Sequence, residues 1–254
     1  RPAELLVGRL HHLAARYNPL NPGKIKKGSV AVVAMGKLGG AEMTANSDLD
    51  LILLYDTVGE DDPVSDGPRP VHASQYYIRL TQRLVAALSA PTGEGTLYEV
   101  DMRLRPSGRA GPLALHIDGF ASYQAEEAWT WEHLALTRAR VISGPDKLAK
   151  AIDGVVSKVL TAKRAPKKLR ADIVDMRERI HKEKGSEDVW EIKTVRGGLI
   201  DVEFIAQYLQ LAHAHKHPEV LSPNTAAALA AARKAGVLNK GDAEILEPAC
   251  ELYH

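Results

Sequence analysis

The pattern of apolar and polar positions is clearest between residues 30 and 56. An apolar run, Val30–Met35, enters a glycine-rich turn, and a second apolar run, Leu49–Tyr55, follows soon after it. Short continuous apolar runs bounded by turn residues are typical of buried strands. We therefore predict a strand, a glycine turn with a short helix, and a second strand.

Apolar residues at helical spacing predict further elements on both sides of this pair. A packing helix is predicted over Glu4–Tyr17 and an amphipathic helix over Val71–Ala90. The acidic stretch Thr57–Pro70, rich in Gly and Pro, is predicted to be an exposed loop. A later helix is predicted to begin at Asp118, a residue type that caps helices, and to run through two tryptophans towards Arg140.

A third strand is predicted over Thr96–Arg105, because its residues alternate between polar and apolar. This alternation places Asp101, Arg103 and Arg105 on one face. If the strand pairs beside the second one, its carboxylate joins the acids described below. A plainer interpretation is that Asp101 is an exposed strand residue paired with one of these arginines.

Beyond Ser143–Asp146 the pattern is helical throughout, including Leu199–His213. We predict a first domain over residues 1–150 and a helical domain over residues 151–254. The basic run Lys158–Arg170 lacks interleaved aromatic residues, so it is interpreted as a solvated helix face or linker. Because the chain starts without Met and stops within the helical pattern Ala243–Tyr253, we expect a piece of a longer protein.

Composition limits the class of protein. The chain has 254 residues, 45% hydrophobic and 26% charged, and 33 basic against 32 acidic side chains give a net charge of +1. No overall field attracts it to nucleic acid or to an anionic membrane. A single cysteine, Cys250, excludes an internal disulfide and suits a reducing cytosol. We expect a cytoplasmic protein with no membrane segment and no nucleic-acid partner.

The candidate chemistry begins with Asp48 and Asp50 at the start of the second strand. Side chains alternate along a strand, so both carboxylates lie on one face. They would repel each other unless a positive charge lay between them. Mg²⁺ suits this position, because it prefers carboxylates together with substrate phosphates.

The glycine turn is the candidate phosphate-binding element. Glycines bring bare backbone N–H groups near a helix N-terminus, where an anion is stabilised, and Lys37 adds a positive charge. A Walker loop is excluded because Leu38 follows the lysine, and the spacing of a dinucleotide fingerprint is absent. The plainer alternatives are a tight turn for Gly39–Gly40 and a cap or turn role for the aspartates.

Four stretches resemble, in this order, the glutamine synthetase adenylyltransferase family, also called adenylyl-ligase/adenylyl-removing enzyme. They are MGKLGGAEMTANSDLDLILLYD, GTLYEVDMRLRPSGRAG, EAWTWEHLALTRARVISG and IKTVRGGLIDVEFIAQYLQL. The resemblance runs from about Val30 to His213. Family members carry two related halves: one attaches AMP to a tyrosine of glutamine synthetase, and the other removes it by phosphorolysis. The third and fourth stretches are more similar to the C-terminal, adenylylating half.

The resemblance implies an α+β, polymerase-β-like nucleotidyltransferase fold followed by an all-helical domain. It also implies that Asp48 and Asp50 hold two Mg²⁺ ions and that Asp101 completes the catalytic site. The residues implied to face the triphosphate of ATP are Gly39, Gly40 and Ser47. The candidates for neutralising phosphate charge are Lys37, Arg103 and Arg105. Asn46 stands where the family usually has serine, and it keeps a hydrogen-bonding side chain.

On this interpretation glutamine synthetase is the protein substrate, and a PII signalling protein is a candidate regulatory partner. Three alternatives stay open: the adenylyl-removing half, a catalytically silent ATP-sensing module, and transfer to a nucleic-acid end. The intact set of three acids argues against a silent module. The near-zero net charge argues against a nucleic-acid acceptor.

Overall fold

The computed structural model describes residues 23–253, apart from residues 46, 60–61, 92, 94, 96–97 and 189. The packing helix predicted over Glu4–Tyr17 lies outside the described residues. Within them, the chain forms a mixed sheet with helices, followed by a part built from helices alone. This is the α+β order predicted from the sequence.

The sheet contains five strands among the described residues, in the order β3-β2-β1-β5, with β4 also pairing with β2. The strands are β1 (Gly28–Ala34), β2 (Leu49–Thr57), β3 (Val100–Asp101), β4 (Ala114–His116) and β5 (Arg140–Ser143). The antiparallel pair β1–β2 is central, and its register runs from Gly28 opposite Thr57 to Ala34 opposite Leu51. Leu51, Leu53 and Leu54 are at most 1% exposed. Such a run, apolar on both faces, belongs in the middle of a covered sheet.

Two short strands share the outer edge of β2. Residues 49–50 pair in parallel with β3, and residues 53–55 pair in parallel with β4. The prediction of a strand over Thr96–Arg105 is therefore confirmed only at Val100–Asp101. It is wrong at residues 98–99 and 102–105, and residues 96–97 lie outside the described residues. The chain turns at Arg103 and Leu104, because the Arg105 guanidinium donates to the Met102 carbonyl and gathers the following loop around itself.

Three helices accompany the sheet: α1 (Gly36–Gly40), α2 (Ala73–Leu88) and α3 (Ile117–Glu126). The α2 helix packs on the sheet, where the rings of Tyr55 and Tyr77 stack with centroids 4.4 Å apart. The single helix predicted from Asp118 towards Arg140 is wrong. It is interrupted, and α4 (Thr130–Leu136) begins anew because the Glu132 carboxylate accepts a hydrogen bond from the Trp129 backbone N–H at 2.9 Å.

The described residues form two compact units. One contains the chain up to Gly39, Met43–Glu127 and Arg140–Val155; the other contains Gly40–Glu42, Ala128–Ala139 and the chain from Val156 onward. The predicted boundary at residue 150 stays a prediction.

Helices form the second unit. Besides α4 they are the end of α5 (Asp146–Leu160), α6 (Pro166–Lys184), α7 (Leu199–His213), α8 (Thr225–Lys234) and α9 (Lys240–Tyr253). Pro166 opens α6, where its missing N–H costs nothing. Val202, Leu229 and Cys250 lie in a shared apolar core. None of the helices in the described part of the chain is both long and apolar enough to cross a membrane.

A buried ion-pair cluster lies in the second unit. The Arg138 guanidinium pairs with the Glu42 carboxylate and, at 2.7 Å, with the Glu203 carboxylate. The side chains of Arg138 and Glu42 are only 5% and 6% exposed. Thr225 supports the same carboxylate, since its backbone N–H donates to Glu42 Oε1 at 2.6 Å. Two acids therefore depend on one cation that water barely reaches.

Replacing that cation should destabilise the protein strongly. We expect Arg138→Met to lower the free energy of unfolding by about 3–5 kcal/mol, because it leaves buried carboxylates uncompensated. Urea denaturation followed by circular dichroism measures the loss. Arg233→Met is the matched control, since Arg233 pairs with Glu247 while 53% exposed, and its loss should cost less than ~1 kcal/mol. Equal losses in the two variants would contradict the importance of burial.

Candidate active site

The three predicted acids lie near one edge of the sheet, where β2 begins. The parallel register places Asp50 directly opposite Asp101, and the Leu49 N–H donates to the Glu99 carbonyl at 2.8 Å. Opposite residues of neighbouring strands project from the same face, about 4.8 Å apart. Asp48 lies two residues before Asp50, is exposed, and lines the same cavity as Asp101.

Arg103 is held against the third acid. Its backbone N–H donates to Asp101 Oδ1 at 2.7 Å, its Nε donates to Oδ2 at 2.7 Å, and its Nη2 makes an ion pair with the same carboxylate. The plainer interpretation of Asp101, pairing with an arginine, therefore describes one of its contacts. The other acidic neighbour of Asp101 is Asp50, which lies opposite it in the paired strand.

The contact between Arg103 and Asp101 shifts the pKa of each group. The side-chain hydrogen bond from Arg103 lowers the pKa of Asp101, against the opposing effect of burial, and the charge of Arg109 adds to the lowering. The pKa of Arg103 is raised, first by the hydrogen bond to Asp101 and also by the charges of Asp48 and Asp50. All three carboxylates thus act on one guanidinium.

A polar cavity of about 330 Å³ opens at this edge. We call it the acid cavity; its lining includes Asp48, Glu99, Asp101, Arg103, Arg105 and Arg109. Sequence reasoning missed Arg109 and Glu99. The sequence did offer one indication of Arg109. It lies in a glycine-rich loop shortly after the strand that carries Asp101, and such a short loop can fold back and bring a side chain close to the strand end.

The glycine turn lies against Asp50. Gly36 has φ +52°, a conformation that favours glycine, and a Cβ at this position would collide with the Asp50 carboxylate. The Met35 N–H donates to the Asp50 carbonyl at 2.9 Å. The turn therefore lies in close contact with Asp50, and Gly36 is the residue that permits this close approach.

The predicted phosphate-facing groups are held by local hydrogen bonds. The Gly39 N–H donates to the Met35 carbonyl at 2.8 Å, and its carbonyl accepts from Arg140 Nε at 2.8 Å. Gly39 and Gly40 are buried, whereas Lys37 is half-buried on α1. The Ser47 hydroxyl accepts from the Thr44 N–H at 3.0 Å and so closes the loop before β2.

Arg105 lines the acid cavity, but its guanidinium is bonded to the backbone of the neighbouring loop. The side chain is buried, and its guanidinium donates to backbone carbonyls of Met102, Arg109, Gly111 and Pro112 at 2.7–3.3 Å. These bonds hold the loop that carries Arg109 beside the acid cavity. The contacts favour a structural role for Arg105.

The donor chemistry of the cavity suits a hard divalent cation. Carboxylate oxygens are the ligands that Mg²⁺ prefers, and the acids lie at an open strand end rather than in the apolar core. Within the described ranges, no three or more His, Cys, Asp or Glu side chains are already grouped at metal-binding spacing. Arg103 supplies the positive charge against Asp101 instead.

The mixed sheet with carboxylates at the start of its second strand, followed by a helical part, defines a nucleotidyltransferase-type domain with a helical extension. The family profile described as "Glutamate-ammonia ligase adenylyltransferase" matches residues 7–155, and that described as "GlnD PII-uridylyltransferase" matches residues 167–254.

Curated relatives agree with the first profile. The chain is similar to proteins named "Bifunctional glutamine synthetase adenylyltransferase/adenylyl-removing enzyme" from Rhodopseudomonas palustris (53% identical), Bradyrhizobium diazoefficiens (52%) and Xanthobacter autotrophicus (52%). Each similarity covers 99% of this chain and 25% of the relative. The chain belongs to the glutamate-ammonia ligase adenylyltransferase family, which confirms the resemblance drawn from the sequence. It spans about a quarter of the length of these relatives.

The ion pair between Arg103 and Asp101 predicts how Asp101 titrates. In the metal-free protein we expect the pKa of Asp101 to lie below the usual value of about 3.9, and Arg103→Gln should raise it. Carboxyl-carbon NMR measures both values. Since the folded pKa is depressed, the stabilising contribution of the pair is present above the unfolded pKa and is lost as pH falls through the folded pKa. An unchanged Asp101 titration in Arg103→Gln would contradict this origin of the shift.

Proposed function

We propose that this chain transfers AMP from ATP to a tyrosine hydroxyl of glutamine synthetase and releases pyrophosphate. The observations that carry the proposal are the pairing of Asp50 with Asp101 and the cavity that Asp48 and Asp101 line together. Family membership and the names of the relatives support the reaction type and the protein substrate.

In this reaction Asp48 and Asp50 would hold two Mg²⁺ ions, and Asp101 would complete the site of one of them. When bound, the ions would neutralise triphosphate charge and lower the pKa of the attacking hydroxyl. The protein's own contribution is positioning and charge, which dominate this class of reaction. Lys37 and Arg103 are the proposed partners of phosphate oxygens, and Gly36 lets the turn approach Asp50.

We propose the adenylylating rather than the adenylyl-removing activity. The residues that support this choice are Glu127–His133 and the segment from Gly197 to Leu209, which resemble the C-terminal half of the family. The names of the relatives include both activities. Glutamine synthetase carrying AMP, incubated with phosphate, tests the removing activity directly, and release of ADP faster than adenylylation would reverse the choice.

The helical part suggests a regulatory partner. The profile that matches residues 167–254 is named for a PII-uridylyltransferase, so we propose a PII protein as a partner of this part. A cytoplasmic location fits a substrate such as glutamine synthetase, and we propose it on that ground.

The transfer experiment uses ATP labelled at the α-phosphate, Mg²⁺ and glutamine synthetase. We expect Asp50→Asn and Asp101→Asn each to reduce labelling of glutamine synthetase by ~10²-fold or more, because charge stabilisation at the reacting phosphate is lost. Asp153→Asn, on the exposed face of α5, is the matched control and should keep full activity. Circular dichroism checks that the variants stay folded.

Other outcomes separate the remaining alternatives. Full labelling by the double variant Asp48→Asn/Asp50→Asn would remove the site assignment. ATP binding without transfer would support a sensing module. Label on added RNA, with none on glutamine synthetase, would move the acceptor to a nucleic-acid end.

A further inference from the structure

The Arg103–Asp101 pair joins an anchored anion to a cation that can move. Asp101 ends β3, where the pairing with β2 fixes its backbone, and its side chain is 14% exposed. Arg103 follows in a turn, and its side chain is 61% exposed. The guanidinium can therefore turn into solvent while the carboxylate stays in place.

This guanidinium also lies in the field of the other acids. Asp48 and Asp50 both act on Arg103 electrostatically, and Asp48 and Arg103 line the acid cavity together. An arginine in this place relieves the repulsion between carboxylates that share one strand end. Any cation that binds Asp101 must then compete with Arg103.

We propose that Arg103 is an internal counter-ion that competes with the divalent cation for Asp101 and is drawn away by the triphosphate of bound ATP. Cation and nucleotide then bind synergistically, and Arg103 is a positioning residue that couples them. The inference rests on the proposed function in two respects: the cation uses Asp101, and the chain binds ATP.

The chemistry of arginine supports both contacts. Its planar fork matches a carboxylate and a phosphate equally well, so the same donors can serve one and then the other. An exposed ion pair is weak, and a multiply charged phosphate chain beside it offers a stronger partner. Because coupling between two ligands is reciprocal, nucleotide should strengthen cation binding by the factor by which cation strengthens nucleotide binding.

Mn²⁺ binding tests the competition without relying on activity. Mn²⁺ accepts the same oxygen ligands as Mg²⁺ and is counted directly by electron paramagnetic resonance. Without nucleotide, we expect Arg103→Gln to bind Mn²⁺ about 3- to 10-fold more tightly than the unmodified chain, as suits loss of an exposed competing pair. A non-hydrolysable ATP analogue should tighten Mn²⁺ binding in the unmodified chain more than in Arg103→Gln.

Arg109→Gln is the matched control. It removes one positive charge from the acid cavity but leaves the Arg103–Asp101 hydrogen bonds in place. Equal tightening of Mn²⁺ binding in the two variants would overturn the proposal, because net charge alone would then explain it.

Asp101→Asn separates this inference from the proposed function. If it loses Mn²⁺ while Arg103→Gln binds Mn²⁺ like the unmodified chain, only the counter-ion proposal fails. If it binds Mn²⁺ as well as the unmodified chain, the cation does not use Asp101, and both proposals fail at that residue.

Discussion

The parallel pairing of Leu49–Asp50 with Val100–Asp101 is the constraint on which the site depends. It brings two carboxylates side by side, an arrangement that is destabilising by itself. The repulsion between the carboxylates is offset by the rest of β2, because its buried leucines hold the strand in the middle of the sheet. Arg103 offsets part of the repulsion from the open side. The repulsion that remains supports the cation site proposed above.

The turn before β2 follows from the same constraint. The Met35 N–H is bonded to the Asp50 carbonyl, so the backbone of the turn approaches the strand closely. That approach leaves no room for a side chain at Gly36. Arg140 fixes the other end of α1 by donating to the Leu38 and Gly39 carbonyls at 2.8 Å. These hydrogen bonds hold the turn beside Asp50, which supports its proposed role in positioning a phosphate.

The sequence predicted the parts of the fold that periodicity controls. The second strand was expected over Leu49–Tyr55 and runs over Leu49–Thr57, and the helix Leu199–His213 has the predicted bounds. A long apolar pattern predicts its secondary structure well, because the burial of the apolar side chains determines which structure forms. The predicted third strand was too long, because hydrogen bonds from Arg105 to backbone carbonyls turn the chain there. An alternating pattern carries no information about such tertiary contacts. At Trp129 a cap by Glu132 begins the new helix, a local contact that the apolar pattern does not predict.

The site residues also include some features that the sequence predicted and others that only the structure revealed. Alternation predicted that Asp48 and Asp50 lie on one face, while the pairing of Asp50 with Asp101 needed a strand register that the sequence could state only as a condition. The lowered pKa of Asp101 then bears on its role. A carboxylate that holds its proton weakly is a poor general base but a good anionic ligand, since it stays charged when a cation approaches. On the proposal above, the arginine that depresses this pKa leaves when the cation arrives, so it limits how tightly a cation binds there without nucleotide.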